Sequence, residues 1–431
     1  MRPSRSNEAA AYVHRRAVDA GASYARRMRS ALIHLSVTAL SLGLLSVACS
    51  SDDAASSSAA GSGTPTGASE GTSGAVGGPD GGGDGASSSG SDASGSAPDD
   101  GLVPGDSIWR TTTEWYRPID TAPAAQHSAE MIGALQKWGL NDVFQVDFSF
   151  NVLEGAGATP VTFPVYEEAD TVPVPIPAKG YIEGDHAYGA CPGGEDCHLL
   201  VFDRPANRLY EVYQAHLSGS TWDGSVALWK LDKTYPRSNR GQGCTSADAA
   251  GLPIAPGLIG YRETKKGTIA HALRFIIRNE FIRGVSGDKT VPNVVYPASH
   301  GSTAGNAASG VPYGGRLRLK STVLETDPRL KTPGARAVVR ALHTYGMILA
   351  DGGNIPLVAE SAKVHADADP TATWGGLLGP TDLGFIRPSD FEVIAIPKDN
   401  PAGTPGWYET KADYEAQLNK PLGCVAIVQP Q

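Results

Sequence analysis

The carboxylate Glu211 has aromatic residues on both sides of it in the sequence, among them Tyr210 and Trp222. Aromatic faces stack on the CH groups of sugar rings, and carboxylates accept hydrogen bonds from hydroxyls, so this combination is typical of glycan sites. Glycoside hydrolases use two carboxylates about 5–9.5 Å apart, one as the acid and the other as base or nucleophile. We predict Glu211 and Asp248 as this pair, with Tyr210 and Trp222 contacting the sugar.

Both carboxylates also have a structural interpretation. Asp248 follows Thr245 by three residues, which is the spacing of a helix capping box. Glu211 fits an exposed strand face equally well. Glu183 and Asp196 are further candidates for the acid–base pair.

Cationic residues alternate with leucine in the segment Arg316-Leu-Arg-Leu-Lys320. Because successive side chains of a strand point to opposite faces, Arg316, Arg318 and Lys320 are predicted on one side. In an elimination reaction, Arg274, Arg316 or Arg318 would neutralise a uronate while a histidine, His198 or His300, removes the proton. The three cations are predicted to line a cleft for uronates, sulfates or phosphates, and a solvated outer face of a sheet is the alternative.

A second alternating segment surrounds Arg274. His271 falls on an apolar face with Leu273 and Phe275, which predicts a core histidine. Arg274 lies on the opposite face beside small side chains, where a ligand or a buried carboxylate can reach it.

Four cysteines follow residue 102, and an even set in an exported chain indicates two disulfides. We predict Cys191–Cys197, closing a glycine-rich loop, and Cys244–Cys424, pinning the C-terminus. The acidic side chains near the first loop predict either a Ca²⁺ site or a solvated acidic loop; they are Asp185, Glu195 and Asp196. The sequence has no HxH or HExxH motif, so we expect no transition metal and no other cofactor.

The elements that must position these residues are mostly strands. Segments 198–203 and 209–213 flank a turn and predict a hairpin, and 259–264 with 268–277 predict a second around Lys265-Lys266-Gly267. Segments 144–152, 316–320 and 391–396 predict further strands. Helices are predicted after Thr332 and Ser128 as N-caps. The fold class is therefore mainly β, a β-sandwich, jelly-roll-like fold or barrel, with two or three short helices.

The N-terminus has the pattern of a lipoprotein signal. Seven arginines precede residue 30, an apolar stretch follows, and small residues end at Cys49. We predict a signal peptide over 1–48 and lipidation of Cys49. Residues 49–101, rich in Ser, Gly, Ala and Asp, predict a disordered linker. Residues 102–431 are predicted as a single β-rich domain.

Charge limits the partners. The 431 residues include 36 Lys and Arg against 45 Asp and Glu, a net charge of −9. A nucleic-acid-binding domain would carry a basic surplus, so that class is excluded. A polytopic membrane protein would show several long apolar spans, and we expect membrane contact through the lipid anchor only. We expect a monomer whose partner is a polysaccharide or a cell-wall glycan.

Five sequence blocks resemble signature motifs of a family of secreted bacterial β-rich proteins. They are the segment 244–257 (CTSADAAGLPIAPG), 271–275 (HALRF), 296–300 (YPASH), 316–320 (RLRLK) and 345–353 (YGMILADGG). The resemblance runs from about Trp109 to Ile396 and implies export and a β-rich domain, without an activity or a catalytic residue. Members of that family are similar but carry Trp at Cys244 and Asn at Gly353, which implies that a Cys244–Cys424 bridge is particular to this chain.

Taken together, these features predict a cell-surface lipoprotein that acts on extracellular polysaccharide, by hydrolysis or by elimination. The alternative is a surface lipoprotein that binds a glycan or the cell wall without catalysis. Paired carboxylates in one cleft would distinguish the two.

Overall fold

The computed structural model describes residues 114–395, except 167, 190, 192–195, 233–234, 236–238, 242–243, 284–293, 302–304 and 306. The predicted signal peptide, the lipidation site Cys49, the linker, Glu195 and Cys424 lie outside the described residues. No helix in the described part of the chain is long and apolar enough to cross a membrane.

Fourteen strands and four α-helices make up the regular structure of the described residues, which confirms the mainly β fold class. The strands are β1 (Val146–Phe150), β2 (Val152–Glu154), β3 (Pro160–Val161), β4 (Val174–Pro175), β5 (Tyr181–Ile182), β6 (His186–Ala187), β7 (Leu199–Asp203), β8 (Arg208–Ser218), β9 (Thr221–Lys230), β10 (Leu273–Ile277), β11 (Arg316–Leu319), β12 (Met347–Gly352), β13 (Leu357–Glu360) and β14 (Phe391–Val393). The helices are α1 (Ser128–Ala134), α2 (Tyr261–Lys266), α3 (Pro333–Thr344) and α4 (Lys363–Ala368).

Ten of the fourteen strands belong to two sheets. The larger has six strands in the order β1-β13-β10-β12-β11-β14, and the pairs β1–β13 and β10–β12 are parallel. The smaller has four strands in the order β2-β7-β8-β9, in which β7, β8 and β9 form an antiparallel meander. The predicted hairpin of 198–203 with 209–213 is confirmed by the pairing of β7 with β8.

One segment belongs to both sheets. The sequence predicts a single strand over 144–152, but β1 pairs with β13 in the larger sheet and β2 pairs with β7 in the smaller. Asn151 lies between them, buried, and its Nδ2 donates to the carbonyl of Ile182 at 3.2 Å and to Asp185 Oδ1 at 2.9 Å. These bonds use the Nδ2 donor of Asn151 at the point where the chain changes sheet, while its buried Oδ1 accepts no hydrogen bond from the described residues.

The second predicted hairpin is wrong, because residues 261–266 form α2. Glu263 Oε1 accepts from the N–H of Gly260 at 2.9 Å, and Gly267 ends the helix with φ of 81°. Both are helix boundary signals that outweigh the β-branched residues nearby. The strand β10 that follows pairs in parallel with β12, about seventy residues further along the chain.

Helix α3 forms as its sequence predicts. Thr332 Oγ1 accepts from the N–H of Ala335 at 3.3 Å, Pro333 is the first helical residue, and Gly346 follows the helix with φ of 68°. Its apolar face, including Val338 and Leu342, is buried in the largest core cluster. The predicted cap of α1 is wrong by one residue, because His127 is the N-cap and Ser128 Oγ accepts from Val393 N at 2.8 Å.

Disulfide chemistry agrees with one predicted pair. Cys191 and Cys197 are bonded, closing the short loop before β7. Cys244 is also disulfide-bonded. Its predicted partner, Cys424, lies outside the described residues.

Candidate active site

A polar pocket with a volume of about 540 Å³ opens beside the ends of β10 and β12. Asp351 and Gly352 are the last two residues of β12, and Asn279 follows β10 by two residues. Ligand sites of this size commonly lie outside the carboxyl ends of parallel strands. The polar side chains that line the pocket include Asp196, Tyr213, Asp248, Asn279, His300 and Asp351.

A buried arginine organises two of the pocket carboxylates. Arg274 donates from Nε to Asp248 Oδ2 at 2.8 Å and from Nη2 to Asp248 Oδ1 at 2.8 Å. The same Nη2 lies 3.6 Å from Asp351 Oδ2. The Asp248 side chain is 0% exposed and that of Arg274 is 3% exposed, whereas the Asp351 side chain remains 27% exposed. The bidentate bond thus fixes Asp248, and Asp351 is left as the carboxyl that faces the pocket.

Asp351 holds a proton more strongly than an ordinary aspartate. Burial, followed by the negative charge of Asp248, raises the pKa of Asp351 to about 7, although Arg274 and the N–H of Gly352 oppose the shift. Two neighbouring carboxylates do not ionise independently, and the proton stays on the less stabilised one. Asp351 is therefore available as a proton donor near neutral pH.

The loop 244–251 holds Asp248 in place from both sides. The carbonyl of Ala247 accepts from His198 Nε2 at 2.9 Å, and that of Ala249 accepts from His300 Nδ1 at 2.6 Å. The N–H of Asp248 donates to Ser246 Oγ at 3.0 Å. No helix begins directly after Thr245, so the capping-box interpretation of Asp248 is wrong.

His300 lines the pocket with a defined tautomer. Because a carbonyl oxygen only accepts, Nδ1 of His300 carries the proton toward Ala249. In the neutral ring Nε2 is then an acceptor for a hydroxyl or a proton. His300, predicted as a base, lines the pocket.

His198 lies behind the wall, not in it. Its Nδ1 is 2.6 Å from Glu183 Oε2, and it also contacts the rings of Phe150 and Tyr213. Burial disfavours its charged form, but Glu183 outweighs burial and raises the pKa of His198 to about 9. Burial likewise opposes the charge on Glu183, and His198 outweighs it and lowers the pKa of Glu183. A histidine that donates from both nitrogens supports the pocket and is not placed to abstract a substrate proton.

Glu211 supports the backbone. Its Oε1 accepts from Ile254 N at 2.8 Å and Ala255 N at 2.9 Å, and its Oε2 accepts from Trp229 Nε1 at 3.1 Å. The side chain is fully buried, so neither the predicted acid–base role nor the exposed strand face describes its position. Burial raises its pKa to about 7, against these three donors. Glu211 is not among the residues that line the pocket.

The predicted aromatic platform is also buried. Trp222 packs against Tyr188 with ring centroids 4.9 Å apart, and Tyr210 lies in the same core cluster. Neither lines the pocket described above. Alternation on β8 and β9 turns these rings toward the interior, because the sheet is covered on that face.

The three alternating cations are engaged by the protein. Arg316 is buried and donates to the carbonyls of Tyr345 at 2.9 Å and Arg117 at 2.6 Å. Arg318 Nε donates to Glu392 Oε1 at 3.0 Å, and Lys320 Nζ donates to the carbonyl of Ser389 at 2.8 Å. Arg316 neither lines a ligand cleft nor lies on a solvated face, because its buried guanidinium donates to backbone carbonyls of the protein.

The acidic residues near the first disulfide are separated. Asp185 accepts from Asn151 and from Ser361 Oγ at 2.7 Å, whereas Asp196 lines the pocket. Within the described residues, no group of three or more His, Cys, Asp or Glu is arranged to hold a metal ion. The Ca²⁺ prediction therefore has no support from Asp185 and Asp196 together.

Sequence analysis missed Asp351 as a site residue. It is the polar end of a buried run, Met347–Ala350, directly before Gly352 and Gly353. That signal was present, since an acidic residue at the carboxyl end of a buried strand is a common site position. Four of the five resemblance blocks meet here, through Asp248, Arg274, His300 and Asp351.

Comparisons with known proteins give no family for this chain. We found no matching family model, no matching curated protein and no matching solved structure. The site is therefore interpreted from its own geometry.

Proposed function

We propose that the pocket hydrolyses glycosidic bonds of an extracellular polysaccharide, with Asp351 as the general acid. One observation carries the proposal: a partly exposed carboxyl lies in a polar pocket beside a second carboxylate that a buried arginine clamps in its charged form. Protonation of the leaving oxygen by such a carboxyl is the first requirement of glycoside hydrolysis.

Each neighbour of Asp351 has a role in this proposal. Arg274 fixes the Asp248 carboxylate, and the Asp248 charge keeps the proton on Asp351. Asp196, on the same pocket wall, is the second carboxylate that activates water or attacks the anomeric carbon. The pKa of Tyr213 is raised by burial and then by both Asp196 and Asp351, consistent with a ring close to both carboxylates.

Hydrolysis is favoured over elimination. Elimination needs a cation that neutralises a uronate carboxylate, and the three arginines predicted for this are committed to Asp248, Glu114 and Glu392. Elimination also needs a base. His198 is held by Glu183 and Ala247, but His300 lines the pocket, so the preference for hydrolysis rests on the cations.

The test is reducing-sugar release from a panel of polysaccharides, with wild type beside Asp351→Asn and Asp369→Asn. Asp369 is exposed just after α4 and its side chain accepts from Thr371, so it controls for the loss of one surface carboxylate. We expect Asp351→Asn to lower kcat/KM by about 10²–10⁴ and Asp369→Asn to leave it unchanged. Equal activity of Asp351→Asn and wild type contradicts the proposal, and glycan binding by wild type without product favours the non-catalytic alternative.

The protein is anchored to the outer face of the cell envelope through lipid on Cys49 in this proposal. The support is the sequence, in which basic, apolar and small residues precede Cys49. Partition of the expressed protein into a detergent phase tests it. Wild type should enter the detergent phase and Cys49→Ser should not; equal partition would refute lipidation at this cysteine.

A further inference from the structure

Acidic groups dominate the charge of the pocket wall. Among its described lining residues are three carboxylates, Asp196, Asp248 and Asp351, and no lysine or arginine. The remaining polar side chains there are His300 and uncharged hydroxyl and amide groups, including Tyr213, Ser225 and Asn279. Hydroxyl and amide groups of this kind exchange hydrogen bonds with sugar hydroxyls without a preference for charge.

The buried cation Arg274 does not offset the acidic charge of the pocket wall for a ligand. Arg274 is buried behind the wall, and its Nε and Nη2 both bind Asp248 while Nη2 also faces Asp351. A carboxylate or sulfate entering the pocket would meet like charge. If it displaced Asp248 from Nε or Nη2 of Arg274, it would leave a buried carboxylate without its partner, which is costly.

We infer that the sugar units bound in this pocket are uncharged, so that the substrate is a neutral polysaccharide. This inference rests on the proposed function, because it assumes that the pocket holds sugar. The inferred substrate thus differs from the uronate, sulfate and phosphate ligands that the alternating cations of β11 suggest.

The experiment compares oligosaccharides that differ in charge alone. A panel of neutral hexose oligosaccharides is used, each as such and with its primary C6 hydroxyls oxidised to carboxylates. Binding is measured calorimetrically at pH 7.5 in the Asp351→Asn variant, which has an uncharged side chain at 351 and should cleave the ligand about 10²–10⁴ times more slowly than wild type. Release of reducing ends by wild type is measured on the same panel.

We expect at least one neutral backbone to bind, and its oxidised form to bind about tenfold more weakly or worse, as one nearby like charge requires. Adding Asp196→Asn should reduce that ratio by threefold or more, and 1 M salt should also reduce it because it screens the charges. Equal or tighter binding of the oxidised form overturns the inference.

The outcomes separate this inference from the proposed function. Cleavage of an oxidised oligosaccharide in preference to its neutral form overturns the inference, and it supports hydrolysis only when no unsaturated uronate product is detected by ultraviolet absorbance. Binding of the neutral form without cleavage by wild type supports the inference and overturns hydrolysis. Absence of binding and of cleavage across the panel counts against both.

Discussion

Replacing Arg274 by methionine should destabilise the protein strongly, because it strands a buried carboxylate. The guanidinium makes two bonds of 2.8 Å to Asp248, whose side chain is 0% exposed. Bonds to charged groups contribute about 1.5–3 kcal/mol each, and breaking a buried ion pair by removing one partner costs about 3–5 kcal/mol. We therefore expect Arg274→Met to lower the free energy of unfolding at pH 7.5 by about 3–5 kcal/mol.

The reverse deletion should cost less. In Asp248→Asn the guanidinium retains Asp351, which lies 3.6 Å away and is exposed enough to adjust. We expect a loss of about 2 kcal/mol for this variant. The double variant Arg274→Met/Asp248→Asn should be more stable than Arg274→Met alone, because no buried charge is left without a partner.

Urea denaturation followed by far-UV circular dichroism measures all four proteins of this cycle. A coupling energy of about 1–3 kcal/mol between the two sites is expected for residues in direct contact. A loss below about 1 kcal/mol in Arg274→Met, or strictly additive losses, would refute the assignment of Arg274 as the clamp of Asp248.

Three further variants test the supports of the pocket. Glu211→Gln should lower the free energy of unfolding at pH 5 by about 1–3 kcal/mol. The NH₂ donor of the glutamine would face a second donor, either Trp229 Nε1 or the N–H groups of residues 254 and 255. Because the pKa of Glu211 is raised to about 7 in the folded protein, wild-type stability falls as the pH rises from the pKa of Glu211 in the unfolded chain to about 7. The difference in unfolding free energy between wild type and Glu211→Gln should therefore narrow by pH 8 in urea titrations; a wider difference at pH 8 would count against this. His198→Gln should destabilise most below pH 6.5, since the raised pKa of His198, about 9, supplies stability that is lost as the pH rises through 9; a gap that grows between pH 7 and 10 would be inconsistent. Replacing Cys191 and Cys197 by serine should cost about 2 kcal/mol for so short a loop, measured by thermal unfolding with and without reductant, and an unchanged midpoint would show that the loop is held without the bond.

Local signals in the sequence predicted the elements whose determinants are local. The cap at Thr332, the glycine at 346 and the turn between β7 and β8 each lie within a few residues of the structure they specify. Around Lys265-Lys266-Gly267 the sequence predicts a hairpin and the chain forms a helix, because the boundary signals at Glu263 and Gly267 are stronger than the strand-forming neighbours.

The site could be predicted only in part. Asp248 and His300, two residues singled out by the sequence, line the pocket, and Arg274 lies directly behind it. The place of Asp351 at the end of a buried run was a local signal, but its approach to Arg274 depends on the long-range pairing of β10 with β12. Glu211 and Trp222 were misplaced for the opposite reason, because an alternating pattern does not say which face of a strand is covered.

The most direct test of the account is the titration of Asp351 itself. Carbon-13 NMR of carboxyl-labelled protein, with the resonance assigned by its loss in Asp351→Asn, reports the protonation of this group. The account predicts a titration step near pH 7 that the variant lacks. A step for Asp351 near its usual value of about 4 would show a carboxylate that is already ionised at neutral pH, and would contradict its role as the acid of the pocket.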